Sequence, residues 1–207
     1  MSSSPTRLYL MRHGEVEEKY HKIFGGRIDM QLSPEGAQQA QHLAAYLRKQ
    51  TLQGAYASPM KRVHQTYSPY LELGGLHPKI MNDLREVDFG DWTGLGWAEV
   101  KEKFGKRASD WLELLEEGGI PNAETAEGYR ARVQPCLRHI LAEHPAESIA
   151  VFCHGGVIRQ LLALLLELPL SRMRMFEIDY ASVTLVEWTP EHSEIQLLNF
   201  APWRDRV

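Results

Sequence analysis

The sequence predicts an α/β fold: a three-layer α-β-α sandwich, with a mostly parallel central sheet, an antiparallel edge and helices on both faces. Three observations predict it. Short apolar runs rich in strand formers alternate with segments of helical period, the pattern of a parallel sheet covered on both sides. Two of these runs, residues 7–11 and 148–153, are the most strand-like in the chain. Each ends in a histidine followed by glycine, as Arg12-His13-Gly14 and Cys153-His154-Gly155-Gly156. Open α/β sheets bind ligands outside the carboxyl ends of their strands, so two histidines delivered this way can face one pocket.

The elements follow in order. Residues 7–11 are the first strand. A polar loop over 15–31 carries Lys19, His21, Lys22, Gly25, Gly26 and Arg27. Ser33-Pro34 opens a helix, with serine as cap and proline at the first helical position. Ala37, Ala40, Leu43, Ala44 and Leu47 keep its period through residue 49. Residues 54–57 are a second short strand, and Ser58-Pro59 repeats the cap-plus-proline start for a helix to about residue 71. A weak third strand spans 78–82, followed by a loop with Gly90, Gly94 and Gly96.

Two short helices near 96–104 and 108–117 precede a Gly-Gly-Ile-Pro break at 118–121. The next helix starts near Ala126 and uses Tyr129, Val133, Leu137, Ile140 and Leu141. It contains Pro135, and an interior proline costs roughly 3 kcal/mol, so a kink or restart is expected there. Residues 148–153 lead to His154, and Val157, Ile158, Leu161, Leu162 and Leu165 give a buried helix ending before Pro169. A final strand pair, 181–188 and 194–200, turns at 189–191. Residues 1–207 read as one domain with a lid or insertion at about 92–125, whose Trp92, Trp97 and Trp111 are read as lid packing rather than substrate stacking.

Composition narrows the function classes. The 23 basic and 27 acidic residues give a net charge of −4, which argues against a general nucleic-acid binder. The most apolar stretch, 161–166, is far short of a membrane span. Residues 1–6 have neither a basic nor an apolar segment, so no secretory leader is expected. Cys136 and Cys153 suggest neither a disulfide framework nor a metal knuckle. A cytoplasmic protein with reduced thiols follows, as monomer or homodimer.

The strand ends gather Arg12 and His13, then Ser58 and Arg62, then His154 at a helix N-terminus. Helix N-termini and arginine forks both favour phosphate oxygens, so the implied ligand is a phosphoryl group. Neutral imidazole is a competent nucleophile near pH 7. An acid is still needed for the leaving alkoxide. Glu86, Asp88 and Asp91 all fit, and position alone does not choose among them. Lys19, Gly26 and Gly155 are candidate substrate contacts. The alternative for Lys19, His21, Lys22 and Arg27 is a solvated basic face.

These residues resemble the histidine phosphatase superfamily, in the branch of the cofactor-dependent phosphoglycerate mutases and their phosphatase relatives. Arg12-His13-Gly14-Glu15 is similar to the family's nucleophile motif. Asp29, Leu32, Ser33 and Gly36, then residues 58–66, then Leu84-Arg85-Glu86 with Phe89-Gly90-Asp91-Trp92, then His154-Gly155-Gly156 continue the pattern over nearly the whole chain. The resemblance implies that His13 is phosphorylated, that Glu86 donates the proton, and that Arg12, Arg62 and His154 hold the phosphate. It implies no metal and no organic cofactor. Lys19 and Ile23 stand where the family often has asparagine and arginine, and Thr93 replaces the glutamate of Trp-Glu-Gly. The stretch from Glu86 to His154 is short, as in α-ribazole and broad-specificity phosphatases. The expected activity is metal-independent hydrolysis of a small phosphomonoester through a phosphohistidine. Phosphoglycerate mutase-type transfer and a non-catalytic phospho-ligand module are the alternatives.

Overall fold

The structure, a computed structural model, describes residues 4–205. Residues 1–3, part of the segment read as lacking a leader, and 206–207 lie outside the described residues. Strands β1 (Thr6–Arg12), β2 (Gly54–Ala57), β3 (Lys79–Ile80), β4 (Ser148–Cys153), β5 (Val183–Trp188) and β6 (Ser193–Phe200) form one sheet in the order β3-β2-β4-β1-β5-β6. The β3-β2, β2-β4 and β4-β1 pairs are parallel, whereas β1-β5 and β5-β6 are antiparallel. The expected mostly parallel sheet with an antiparallel edge is the one observed.

Side-chain alternation sorts the strands onto two cores. Leu8 and Leu10 of β1, with Ile149, Val151 and Cys153 of β4, pack against α5 (Ala126–Glu143) and α6 (Gly155–Leu165). Tyr9, Met11, Ala150 and Phe152 face the opposite side and meet α1 (Pro34–Leu47) and α2 (Lys61–Glu72). Both central strands are buried on both faces, which is why they read as continuous apolar runs rather than alternating ones. The remaining described α-helices, α3 (Trp97–Phe104) and α4 (Trp111–Glu116), lie within the segment read as an insertion.

Register places the site. Arg12 pairs with Cys153 across β1 and β4. The next residues, His13 and His154, therefore leave the sheet side by side. The His13 amide donates to the Cys153 carbonyl at 3.1 Å. Because β5 runs antiparallel to β1, its first residue Val183 lies opposite Met11. The loop preceding β5 thus arrives at the same edge.

Three local expectations are corrected. Ser33 caps α1 by accepting from the Gly36 amide at 2.9 Å, but Ser58 and Pro59 do not start α2. That helix begins at Lys61 without a side-chain cap, and Ser58 is drawn instead to His154. Pro135 neither kinks α5 into two helices nor restarts it, because the helix runs unbroken from Ala126 to Glu143. Val133, Cys136, Leu137 and Ile140 are buried on either side of the proline, and Ala131, which loses its partner, faces solvent. Water can serve that carbonyl, so packing outweighs the lost bond. The third strand shrinks to Lys79–Ile80.

Candidate active site

A cavity of about 260 Å³ opens at the carboxyl ends of the parallel strands, lined among others by Arg12, His13, Arg62, Glu86 and Arg159. His13 sits at its floor. Gly14 and Gly36 let the start of α1 press against the loop behind it: a Cβ on Gly14 would lie 2.6 Å from the Gly36 carbonyl oxygen. The Gly14 amide also donates to Thr66 Oγ1 at 2.9 Å, tying the loop to α2.

The hydrogen bonds of His13 fix its tautomer. Arg62 Nε, which can only donate, lies 3.1 Å from His13 Nε2, so Nε2 must accept. Nδ1 then carries the proton and donates to the Gly14 carbonyl at 2.8 Å. Burial first, and then the charges of Arg62 and Arg12, hold the His13 pKa well below the usual histidine value. The imidazole is neutral near pH 7, with its Nε2 lone pair turned toward a guanidinium.

Arg62, in the first turn of α2, is itself buried. Its other nitrogens donate to the carbonyls of Ile28 (2.8 Å) and Gly26 (3.0 Å). Gly26 thus lines the cavity and anchors an arginine. Burial lowers the Arg62 pKa to about 10, so it remains a cation at neutral pH. Arg12 donates to the Ile178 carbonyl at 2.7 Å, and its guanidinium lies 3.9 Å from the centre of the Tyr180 ring.

His154 is fully buried behind this floor, with its ring centroid 5.3 Å from that of His13. Its Nε2 is 2.8 Å from Ser58 Oγ, while its Nδ1 has no partner. Burial, with the nearby arginines, holds its pKa well below the ordinary value. Arg12 Nε and Arg159 Nε are also buried without partners. Unpaired buried polar atoms carry a desolvation cost, and in a concave cationic site an anion relieves it.

Of the three carboxylates left open by position, Glu86 alone lines the cavity. Its two oxygens accept from the amides of Val87 (3.0 Å) and Gly156 (3.1 Å). Any Cβ at position 156 would collide with the Glu86 carboxylate, so glycine there is what lets the acid loop meet the start of α6. Asp88 accepts from the Gly90 amide and pairs with Arg27 at 3.4 Å. Asp91 accepts from Asn122. Arg132 of α5 grips the acid loop from below. It donates to the carbonyls of Asp83, Arg85 and Glu86 and forms an ion pair with Glu124.

The remaining candidates divide. Gly155 lines the cavity. Lys19 does not: its ammonium lies 3.4 Å from Glu17, and its side chain is 63% exposed. The solvated reading fits it. Among the cavity residues with no counterpart in the sequence candidates are Arg159 and Tyr180. Arg159 donates to the carbonyls of Gly155 (3.2 Å) and Phe176 (3.0 Å), and Tyr180 lies over Arg12. Arg159 had a readable signal, as the one charge in the buried run 155–165. The tryptophans split: Trp92 is core, while Trp97 and Trp111 line the cavity. Among the described residues, no group of three or more His, Cys, Asp or Glu side chains is placed to hold a metal.

Neutral histidines beneath a cluster of arginines, at the carboxyl edge of a parallel sheet, put the chain among the α/β enzymes that handle phosphoryl groups. The chain belongs to the histidine phosphatase superfamily (branch 1), which matches residues 8–201. It is 28% identical over 193 residues to phosphoserine phosphatase 1 of Hydrogenobacter thermophilus, covering 93% of this chain and 92% of the relative. Among solved structures it resembles the α-ribazole phosphatase of Shigella flexneri, with a TM-score of 0.80, 25% identity and coverage of 93% and 96% of the two chains. It also resembles a mycobacterial glucosyl-3-phosphoglycerate phosphatase, with a TM-score of 0.82, 25% identity and coverage of 94% and 98%. The chain is a histidine phosphatase by family, and no described helix is long and apolar enough to cross a membrane.

Proposed function

We propose that the protein hydrolyses a small phosphomonoester without a metal, through a phosphohistidine on His13. The observation that carries this reading is the fixed tautomer: His13 Nε2 accepts from Arg62 Nε at 3.1 Å while Nδ1 donates to the Gly14 carbonyl. That is a neutral nucleophile already facing a cation. The phosphoryl group of the substrate takes the place between them. The Nε2 lone pair attacks phosphorus, the bond from phosphorus to the ester oxygen breaks, and Glu86 delivers a proton to the departing alkoxide. The Glu86 carboxylate then takes a proton from a water whose oxygen attacks phosphorus. The P–N bond breaks, inorganic phosphate leaves, and His13 and Glu86 return to their starting states.

Arg12, Arg62 and the unpartnered His154 Nδ1 supply positive charge and donors to the oxygens of the transferring group. Three arginines around one cavity provide the charge that a metal supplies in other phosphoryl-transfer sites. The segment 92–125 serves as the lid of a single domain, because it contributes Trp97 and Trp111 to the cavity wall. Buried free thiols at Cys136 and Cys153 accord with a cytoplasmic protein.

The test is trapping. After rapid acid-free denaturation, a radiolabelled monoester should leave base-stable, acid-labile label on the wild-type chain dialysed against EDTA. His13→Ala should show none and lose more than about 1,000-fold in turnover, the scale for a nucleophile. Near-normal turnover in His13→Ala, or activity restored only by an added divalent metal, overturns the proposal.

A further inference from the structure

Beyond the phosphate floor, the cavity wall is aromatic. Tyr20, Phe24, Phe89, Trp97, Trp111 and Tyr180 all line it. The wall is held in place. Phe24 accepts from the Gly94 amide and donates to the Leu95 carbonyl, each at 2.9 Å, so the loop after His13 is stitched to the turn before α3. Phe24 packs edge-on to Phe89 at 4.8 Å, and Phe89 packs edge-on to Trp111 at 5.2 Å. Trp97, the first residue of α3, stacks on no other ring among the described residues and is 55% exposed. An indole held at a cavity mouth without a partner is free surface for a ligand.

Most charged side chains of the same cavity are tied to the main chain. Glu86 is the sole carboxylate among the described lining residues, and both its oxygens accept backbone amides. Arg12, Arg62 and Arg159 each donate to main-chain carbonyls and belong to the phosphate end. Asn, Gln, Ser, Thr, Asp and Lys side chains are missing from the described lining. Away from the phosphate end the described side-chain donors and acceptors are the Tyr20 and Tyr180 hydroxyls and the Trp97 and Trp111 indole N–H groups. A zwitterionic or polyhydroxylated leaving group would bury more polar atoms there than the wall can pair, which a selective site does not do.

We infer that the preferred substrate is the phosphomonoester of an uncharged alcohol bearing a flat aromatic or heteroaromatic group, which packs against Trp97 and Trp111. This rests on the phosphatase reading and deepens it. The test compares kcat/KM for 2-phenylethyl phosphate, ethyl phosphate and O-phospho-L-serine, with p-nitrophenyl phosphate as the check on chemistry. The first should exceed the next two by roughly tenfold or more, the factor expected of one or two good aromatic contacts. Trp97→Ala should shrink the phenylethyl-to-ethyl ratio by about threefold or more. Trp97 is largely exposed, so this change leaves the core intact. Trp111→Leu should shrink the ratio as well.

If none of the esters is hydrolysed, the phosphatase reading itself fails. If p-nitrophenyl phosphate is hydrolysed but phosphoserine or ethyl phosphate equals phenylethyl phosphate, hydrolysis stands and this inference is overturned. A preference that survives unchanged in both tryptophan variants overturns it too.

Discussion

The floor and the wall of one cavity are built by different rules. The floor consists of charged and titratable side chains buried at the ends of β1 and β4 and the starts of α2 and α6. His13 and His154 follow strand ends directly, Arg62 and Arg159 lie near the starts of α2 and α6, and all but His154 are tied by hydrogen bonds to main-chain groups. The wall consists of aromatic side chains from the loop after His13, the acid loop, the 92–125 segment and the turn before β5. Its members are held by packing and by isolated bridges such as Phe24 with Thr93. Buried charges tolerate little displacement, because each lost partner leaves a desolvated group. Apolar wall positions accept other residues of similar size at modest cost. Under the proposed function, reaction type resides in the floor and choice of leaving group in the wall.

The sharpest way to break that division is through Glu86, which belongs to the floor chemically but arrives on a loop. Glutamine retains an acceptor but replaces the other with an amide donor, so one of the bonds from Val87 and Gly156 is lost. Turnover of an alkyl ester should fall by roughly 100-fold or more, the scale of acid catalysis. Inhibition by inorganic phosphate should change far less. p-Nitrophenyl phosphate needs little protonation of its leaving group and should suffer less than the alkyl ester. If Glu86→Gln slows both esters alike, Glu86 is an anchor for the start of α6 and the proton comes from elsewhere.

A smaller effect should separate floor from wall in stability. His13 and His154 are buried and neutral, with folded pKa values well below the unfolded value near 6.5. Below about pH 6.5 the unfolded chain takes up protons that the folded chain refuses, so stability falls as the pH drops toward the folded pKa values. Each histidine contributes at most about 1.4 kcal/mol per pH unit over that window. Urea midpoints at pH 7 and pH 5.5 should therefore differ less in His154→Gln than in wild type. Trp97→Ala, a wall change, should leave the difference as it is. Equal pH dependence in wild type and His154→Gln would mean that this histidine is not neutral by burial.

The same division explains what the sequence could disclose. The floor was legible because apolar strand, histidine and glycine are adjacent in the chain, and the parallel register of Arg12 with Cys153 does the rest. Tyr180 could have been reached from the antiparallel edge, since a strand running against β1 must begin where β1 ends. Arg159 was visible as a charge inside an apolar helix. Ser58 was misread because a serine before a proline fits a helix cap equally well, and only the fold brings His154 to within 2.8 Å of it. The wall was not legible residue by residue. A tryptophan among the glycines of 90–96 or just after them has the same local pattern whether it is sealed like Trp92 or open like Trp97, and contacts distant in sequence decide.

Lys19 gives the last and smallest test. It is one of two positions where the loop departs from the family pattern, and a lysine beside a phosphate site invites a role in binding. Its ammonium instead lies 3.4 Å from Glu17 and 4.9 Å from the centre of the Tyr20 ring, outside the cavity. An exposed pair of this kind is worth little, because water and salt screen it. Lys19→Ala should therefore change kcat/KM for any monoester by less than about twofold, within the small range of ordinary surface substitutions. Ile23, the other departure, lines the cavity. Ile23→Ala should lower the preference for an aromatic ester over a small alkyl one while Lys19→Ala leaves it unchanged. A large loss on Lys19→Ala that grows at low ionic strength would mean that the loop swings inward when substrate binds. The boundary between floor and wall would then shift on binding rather than stand fixed in the fold.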